Sequence, residues 1–173
     1  VATSNNSPRT HGCAGLIPAD KTWDKPYSPL FKYSWSKVYP ALLEAQKVNE
    51  VNPFDGIFMQ YSNPLTGGHV MQTMGAAMQL LAAGFKGKAH KHTGSFVYQC
   101  AKGKGYSIIN GKRFDWKERD IFCVPSWAWH EHHNSSETED ACLFNFNDLP
   151  VIEGLGLFQE RELEENNGHQ KLI

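Results

Sequence analysis

Three histidines constrain what this chain can fold into more than any other feature of its sequence. His90 and His92 are separated by a single residue, and His130 follows much later, at the end of the run 125–130. In an extended strand, residues i and i+2 point to the same face, so one short segment can aim two imidazoles at a common point. His130 can join them only through a tertiary fold. The sequence therefore predicts a β-rich fold that brings His130 back to the pair.

Short apolar segments separated by turn residues surround these histidines. Asn110-Gly111 is the clearest local pattern, because this pair favours a two-residue hairpin turn. In the segment 95–101, alternation puts Phe96, Tyr98 and Cys100 on one face. Strands are predicted at 57–61, 74–81, 95–101, 106–109, 113–116, 121–124 and 141–146. Short strands at this spacing predict an all-β fold, a double-sheet barrel or jelly roll.

The chain divides into three predicted regions. Residues 1–56 form an N-terminal arm with a short helix at 36–47, where apolar residues recur at helical spacing. Residues 57–158 form the barrel, and 159–173 form a C-terminal tail with a short helix and a frayed end. Because the sequence begins with Val1 rather than Met, we also expect a processed or truncated product.

Composition limits which binding partners and which cellular compartment are expected for this protein. Lys and Arg number 17 against 18 Asp and Glu, a net charge of −1 with no basic stripe, which argues against nucleic acid as a partner. No apolar run approaches the roughly 20 residues that span a bilayer, so no membrane association and a cytoplasmic location are expected. Buried free thiols are predicted for the four cysteines, Cys13, Cys100, Cys123 and Cys142.

Several motifs together resemble a known family. Two sets of residues have the spacing of the two paired motifs of the cupin superfamily, which they resemble. The first set is Gly84, His90, His92 and Gly103, and the second is Pro125, His130 and Asn134. More narrowly, the runs 63–68, 90–93, 114–116 and 124–132 resemble the C-terminal cupin half of gentisate 1,2-dioxygenases and of the related 1-hydroxy-2-naphthoate and salicylate dioxygenases. The similarity covers about residues 29–158. In the usual first motif a Glu follows the second His, but Phe96 stands there in this chain.

The resemblance implies a fold and an activity. It implies one cupin barrel, a double-stranded β-helix with one or two short helices, and an arm at 1–56 like the segment between the two cupins of these enzymes. In the family the catalytic Fe(II) is usually held by the N-terminal cupin. Residue by residue, His90, His92 and His130 match the iron ligands, whereas Gln79 and His132 match a substrate-contacting Gln and a second, non-ligand His. The implied reaction is ring cleavage by dioxygen.

Other positions depart from the family pattern. Gly75 stands in place of a pocket Trp, Tyr98 in place of a carboxylate-binding Arg, and Asn145 near the place of a pocket Asp. Tyr98, Trp127 and Asn145 are weak candidates for a substrate pocket. The alternatives are that Tyr98 is barrel filler and that Trp127 packs the barrel rim, on the side opposite to Trp129. For the catalytic candidates, His132 is alternatively a solvated residue, and Gln79 alternatively satisfies a buried backbone carbonyl.

Three functions stay open on the sequence alone. The first is an Fe(II)-dependent ring-cleaving dioxygenase acting on an aromatic acid and O₂. The second is a non-catalytic structural half of a two-cupin protein, which the missing Arg favours. The third is a cupin that binds a small acid through Zn, Mn or Ni. For each of them, exposed aromatic residues predict a homo-oligomer or association with another cupin half.

Overall fold

The computed structural model of the protein describes residues 31–173. Among these residues, α1 spans Trp35–Val48, α2 spans Leu149–Gly154, and a 3₁₀-helix spans Asn166–Gly168. The strands are β1 Ile57–Gln60, β2 Gly75–Leu81, β3 His90–His92, β4 Phe96–Lys102, β5 Lys104–Ile109, β6 Lys112–Lys117, β7 Ile121–Val124, β8 His130–Asn134, β9 Ala141–Asn147 and β10 Glu160–Glu162. The part of the predicted arm at 1–30, with Cys13, lies outside the described residues.

The strands form two five-stranded antiparallel sheets. The first sheet has the order β1-β2-β9-β4-β7, and the second has the order β10-β3-β8-β5-β6. Side chains of both sheets share one buried cluster, in which Tyr98 of the first sheet lies 4.8 Å from His132 of the second, measured between ring centroids. The predicted all-β barrel of the jelly-roll type is confirmed.

The hairpin between β5 and β6 forms at the predicted pair. Asn110 and Gly111 both have positive φ, 47° and 78°, which is the backbone of a type I′ turn. This turn matches the right-handed twist of the flanking strands and fixes the register at Ile109 opposite Lys112. Because the side-chain period of a strand is two, that register also fixes which residues of β5 point into the barrel.

Helix α1 covers the outer surface of the first sheet. It begins at Trp35, with Ser34 at the N-cap position, and ends at Val48, one residue beyond the predicted range at each end. Leu42, which is 1% exposed, packs with Met78 and Cys142 in a second hydrophobic cluster. Burying one such leucine contributes about 1.5–3 kcal/mol, so this contact ties α1 to the barrel.

The tail differs from its prediction. A short helix with a frayed end was expected from 159 onward, but Glu160–Glu162 forms a strand that pairs with His90–His92. The chain then turns through the 3₁₀-helix Asn166–Gly168 and returns to the barrel, where the amide of Ala89 donates to the carbonyl of Gly168 at 2.7 Å. The tail therefore forms an edge of the second sheet.

The cysteine prediction is partly wrong. Cys100 and Cys142 are buried free thiols, as expected, whereas Cys123 is exposed. Strand β7 is an edge strand with an apolar run on both faces, and only Val124 of its four residues is buried. Within residues 31–173, no helix combines the length and the apolar character that crossing a bilayer requires.

Candidate metal centre

The three histidines singled out by the sequence lie together inside the barrel. Strand alternation turns His90 and His92 inward from β3, and His130 is the direct partner of His90 on the neighbouring strand β8. The three side chains are at most 8% exposed. One nitrogen from each ring lies within 4.8 Å of the others, and the Nε2 atoms of His90 and His130 are 2.8 Å apart. This convergence is the geometry that one bound ion requires.

Backbone carbonyls hold two of the rings from behind. Nδ1 of His130 lies 2.9 Å from the carbonyl oxygen of Ala128, and Nδ1 of His92 lies 3.1 Å from that of Thr93. A carbonyl oxygen accepts a hydrogen bond but cannot donate one, so we assign the ring proton of each neutral histidine to Nδ1. Nε2 is then unprotonated, and its lone pair is available to bind a metal ion. Metal-ligating histidines are oriented in the same way.

Burial keeps the three imidazoles neutral. It lowers the pKa of His90, His92 and His130, and the neighbouring imidazoles lower the pKa of His92 and His130 further. In the part of the chain that the structure describes, Nδ1 of His90 has no hydrogen-bond partner, and Glu160 is 3.8 Å away. Neutral imidazole nitrogens are ligands that Fe, Zn, Ni and Cu accept, so the donor set fits a divalent transition metal.

Phe96 occupies the position where a carboxylate ligand is usual. Its ring packs on His92, with 4.7 Å between ring centroids. The carboxyl group that approaches the centre comes instead from Asp55, in the turn before β1, and its charge influences the pKa of His92. The sequence did not single out Asp55, because an Asp in the run 52–56 is ordinary turn chemistry.

Gln79 links Asp55 to the barrel interior. Nε2 of Gln79 donates to Oδ1 of Asp55 at 2.6 Å, so the side-chain amide does not serve a backbone carbonyl, which was the alternative role. Burial raises the pKa of Asp55 to about 6, against the opposing effects of His92 and of the Gln79 hydrogen bond. The Oε1 atom of Gln79 is buried without a partner in the protein.

His132 lies beside the three histidines and is 1% exposed, so it is not the solvated residue of the alternative interpretation. Its ring centroid is 5.7 Å from that of His130. Ser107 receives the indole N–H of Trp116 at 2.9 Å and lies 2.7 Å from Nδ1 of His132. We assign the Ser107 hydroxyl as the donor to Nδ1, which puts the ring proton of His132 on Nε2. Burial, and then the neighbouring histidines, lower the pKa of His132 to about 3.

Replacing Ser107 with alanine tests this arrangement. The change leaves the Trp116 N–H and Nδ1 of His132 buried without their partner, and we expect a loss of about 1–3 kcal/mol in the free energy of unfolding. Urea unfolding followed by tryptophan fluorescence measures it. Ser36→Ala, at an exposed position of α1, is the control and should change stability by less than about 0.5 kcal/mol. Equal stability of the two variants would show that the Ser107 hydroxyl does not support His132.

The three pocket candidates lie in two different places in the structure. Tyr98 and Asn145 are direct neighbours across β4 and β9, and both are buried in the interior. Burial raises the pKa of Tyr98 well above its usual value, with Asp55 adding to the effect. Trp127 is 39% exposed and packs on Lys91, whose Nζ is 4.6 Å from the ring centroids of both Trp127 and Trp129. The rings of Trp127 and Trp129 therefore flank one lysine at the barrel surface, whereas the alternative interpretation had them face opposite ways.

Besides Nδ1 of His90, three more buried polar atoms in the interior have no partner among the described residues. They are Oε1 of Gln79, Nε2 of His132 and Nδ2 of Asn145. Buried side-chain polar atoms are normally paired, because leaving one unpaired costs about 1–3 kcal/mol. Of the three, Nε2 of His132 belongs to a ring that lies beside the metal centre, with 5.7 Å between the ring centroids of His132 and His130. These unpaired groups are therefore candidates for hydrogen bonds to a bound ligand.

Comparisons with known proteins agree with this geometry. The cupin domain family matches residues 77–146. The chain is 38% identical to 5-aminosalicylate 1,2-dioxygenase of Comamonas sp. over 143 residues, covering 82% of the chain and 38% of that protein. It is 37% identical to gentisate 1,2-dioxygenase 1 of Aquipseudomonas alcaligenes over 147 residues, covering 85% of the chain and 42% of that protein.

A solved structure gives the same result at the level of the fold. Salicylate 1,2-dioxygenase of Pseudoaminobacter salicylatoxidans, as its adduct with gentisate, superposes with a TM-score of 0.78 at 30% identity. The match covers 90% of the chain and 43% of that protein. The chain thus spans about two fifths of the length of the relatives that it matches.

Proposed function

The chain carries a cupin domain and is a relative of the gentisate-type ring-cleaving dioxygenases, and from this premise we propose that it acts as, or forms part of, an Fe(II)-dependent dioxygenase. Its proposed substrate is a hydroxylated aromatic carboxylate of the gentisate, salicylate or 1-hydroxy-2-naphthoate class. The observation that carries the proposal is the convergence of His90, His92 and His130 inside the barrel.

Fe(II) is the proposed ion at His90, His92 and His130, with Zn, Mn or Ni as alternatives. Three neutral imidazoles leave the charge of a dication uncompensated and leave coordination positions for other ligands. When bound, ferrous iron supplies positions for the carboxylate and ortho-hydroxyl oxygens of the substrate and for dioxygen. The protein supplies a dry interior around these positions, because the three histidines and His132 are almost fully buried.

His132 is the proposed hydrogen-bond donor to the substrate. Its Nε2 is buried without a protein partner, and Ser107 holds the opposite ring nitrogen. The lowered pKa keeps the ring neutral, so that it donates a hydrogen bond without adding a positive charge beside the three ligands. We propose that Nε2–H orients a substrate oxygen.

Gln79 and Asp55 are the proposed acceptors. Asp55 fixes the Gln79 amide through the 2.6 Å hydrogen bond, which leaves Oε1 of Gln79 free to accept a hydrogen bond from a substrate hydroxyl. Because burial raises the pKa of Asp55 to about 6, its carboxylate is a stronger base than an ordinary aspartate and is suited to take up a proton from a substrate hydroxyl. Asp55 thus adds to the site the carboxyl group that Phe96 does not provide.

The described residues offer no buried cationic side chain to the substrate carboxylate. Among residues 31–173, the buried polar side chains include no Lys or Arg, and Tyr98 stands where the resemblance implies an Arg. A bidentate guanidinium is the natural partner of a carboxylate. This observation favours a second candidate function, a non-catalytic cupin half that supports an active half, and it makes the activity test below decisive.

Oxygen uptake by iron-loaded protein tests the proposal. With gentisate, salicylate or 1-hydroxy-2-naphthoate as substrate, we expect consumption of one dioxygen per ring cleaved, and a product that contains both atoms of labelled dioxygen. The control is the same protein loaded with zinc, which does not change its oxidation state. If iron binds at one ion per chain and no substrate is consumed, the non-catalytic candidate is favoured instead.

Association with a second copy, or with another cupin half, is also proposed. Phe58 and Met59 of the edge strand β1 are 39% and 40% exposed. An exposed edge strand with apolar side chains is an available pairing surface. We further propose a cytoplasmic location, for which the reduced thiols of Cys100 and Cys142 are the support.

A further inference from the structure

A second group of metal-ligating side chains lies on the other face of β8. His130 and His132 point into the barrel, and alternation turns Glu131 and His133 to the outside, where His169 of the tail meets them. One ligand atom from each of Glu131, His133 and His169 lies within 4.8 Å of the others. We propose that these three residues form a second metal site, separate from the barrel interior, that binds Zn²⁺.

The distances suit a tetrahedral zinc ion. Oε2 of Glu131 lies 2.9 Å from Nδ1 of His169 and 3.7 Å from Nε2 of His133. With zinc–nitrogen and zinc–oxygen bonds of about 2.0–2.2 Å, tetrahedral ligands are separated by about 3.3–3.5 Å. Small rotations of the side chains bring both distances to that value. Two imidazoles and one carboxylate are a ligand set that zinc takes in proteins, with water as the fourth ligand.

His133 is the observation that points to a ligand rather than to a simple ion pair. Its side chain is 6% exposed, and neither ring nitrogen has a hydrogen-bond partner within residues 31–173. The 3.7 Å separation from Glu131 is too long for a hydrogen bond. The ring is fixed by stacking on Tyr106, with centroids 4.5 Å apart and planes 9° from parallel. A buried, fixed and unpaired imidazole thus faces a carboxylate.

Glu131 supplies a negative charge that requires a cation. Its side chain is fully buried, and its charged partners among residues 31–173 are the two histidines of the cluster. The amide of Gln170 donates to its Oε1 at 3.2 Å. A divalent ion at this point would neutralise the carboxylate and satisfy Nε2 of His133 at the same time.

The tail is held in position to complete the site. Asn166 and Asn167 both adopt left-handed backbone, with φ of 52° and 56°, and the side chain of Asn166 donates to the carbonyl of His169 at 2.9 Å. Next in the chain, Nε2 of Gln170 donates to the carbonyl of Ile108 at 2.8 Å. His169 is therefore presented by an ordered segment, and a metal ion there would clamp the tail against β8.

Zinc counting tests the site. Chelator-stripped protein is dialysed against Zn²⁺, and the bound metal is measured per chain, with two ions expected for the wild type. His169→Ala should retain one ion, His92→Ala should retain one, and the double variant should retain none. His69→Ala is the matched control and should retain two, because His69 also contacts a carboxylate, Glu153 at 2.9 Å, but belongs to neither cluster.

A second measurement distinguishes the loss of a zinc site from the unfolding of a variant. In the His92→Ala background, Zn²⁺ should still raise the unfolding temperature, because an ion that binds only the folded state stabilises it. Adding His169→Ala should abolish that increase while the circular dichroism spectrum stays unchanged. The inference is overturned if wild type and His169→Ala bind the same number of ions, or if zinc fails to stabilise the His92→Ala protein.

Discussion

Removing the His90 imidazole is expected to lower the iron content of the purified, reloaded protein by about tenfold or more. His90 is 3% exposed, and its Nε2 lies 2.8 Å from that of His130, so His90→Ala removes one of three converging donors. Two remaining imidazoles hold a divalent ion far more weakly than three. Oxygen uptake with the aromatic acid should fall in proportion to the iron that is lost. Elemental analysis of the variant measures the first effect directly.

The control for this experiment is His69→Ala, since His69 is a partly buried histidine outside the three converging ligands. We expect its iron content to equal that of the wild type. Unchanged iron in the His90→Ala protein would remove His90 from the ligand set, and with it the basis of the proposed activity. An equal loss in both variants would indicate a general effect on the fold rather than the loss of a ligand.

Adding a single methyl group at Gly105 is expected to be the most damaging small change to the barrel. Gly105 lies in β5, opposite Trp116 of β6 and Asn134 of β8. A Cβ at this position would overlap the carbonyl oxygen of His133 and the indole ring of Trp116. The carbonyl belongs to β8, a strand in the middle of its sheet, and it cannot move without breaking the hydrogen bonds between β8 and its neighbouring strands. We expect Gly105→Ala to cost about 3 kcal/mol or more in the free energy of unfolding.

The matched control is Gly154→Ala. Gly154 ends helix α2, and a Cβ there would contact nothing within 4 Å. Alanine is the better helix former, so stability should stay the same or rise by up to about 1 kcal/mol. Chemical denaturation of both variants measures the difference. A Gly105→Ala protein as stable as the wild type would contradict the close packing of Trp116 against β5.

Local chemistry explains the parts of the fold that the sequence predicted. The positive φ of Asn110 and Gly111 is a property of that residue pair, so the hairpin could be placed without knowing the rest of the fold. The spacing of His90 and His92 fixed their shared face for the same reason. Bringing His130 beside them needed a tertiary pairing, and only the strand spacing and the family resemblance indicated it.

Long-range contacts explain what the sequence did not predict. Asp55 reaches Gln79 from 24 positions away, and nothing in its turn sequence distinguishes it from a solvated Asp. Nothing in the sequence singles out Glu131 or His169, which are 38 positions apart. The returning tail covers Glu131, which is 1% exposed, and His169 lies 2.9 Å from its carboxylate. A short helix was expected in this part of the tail because the sequence of β10 carries no sign of its distant partner strand β3.

The most direct test of the central claim is anomalous diffraction at the iron absorption edge, from crystals of iron-loaded protein. We predict one strong peak inside the barrel, with Nε2 of His90, His92 and His130 each at about 2.0–2.2 Å, close to the bond lengths of imidazole to divalent metals. His132 should lie beside this peak without coordinating it. No peak at these three nitrogens in iron-loaded crystals would contradict the metal centre, and with it the proposed dioxygenase function.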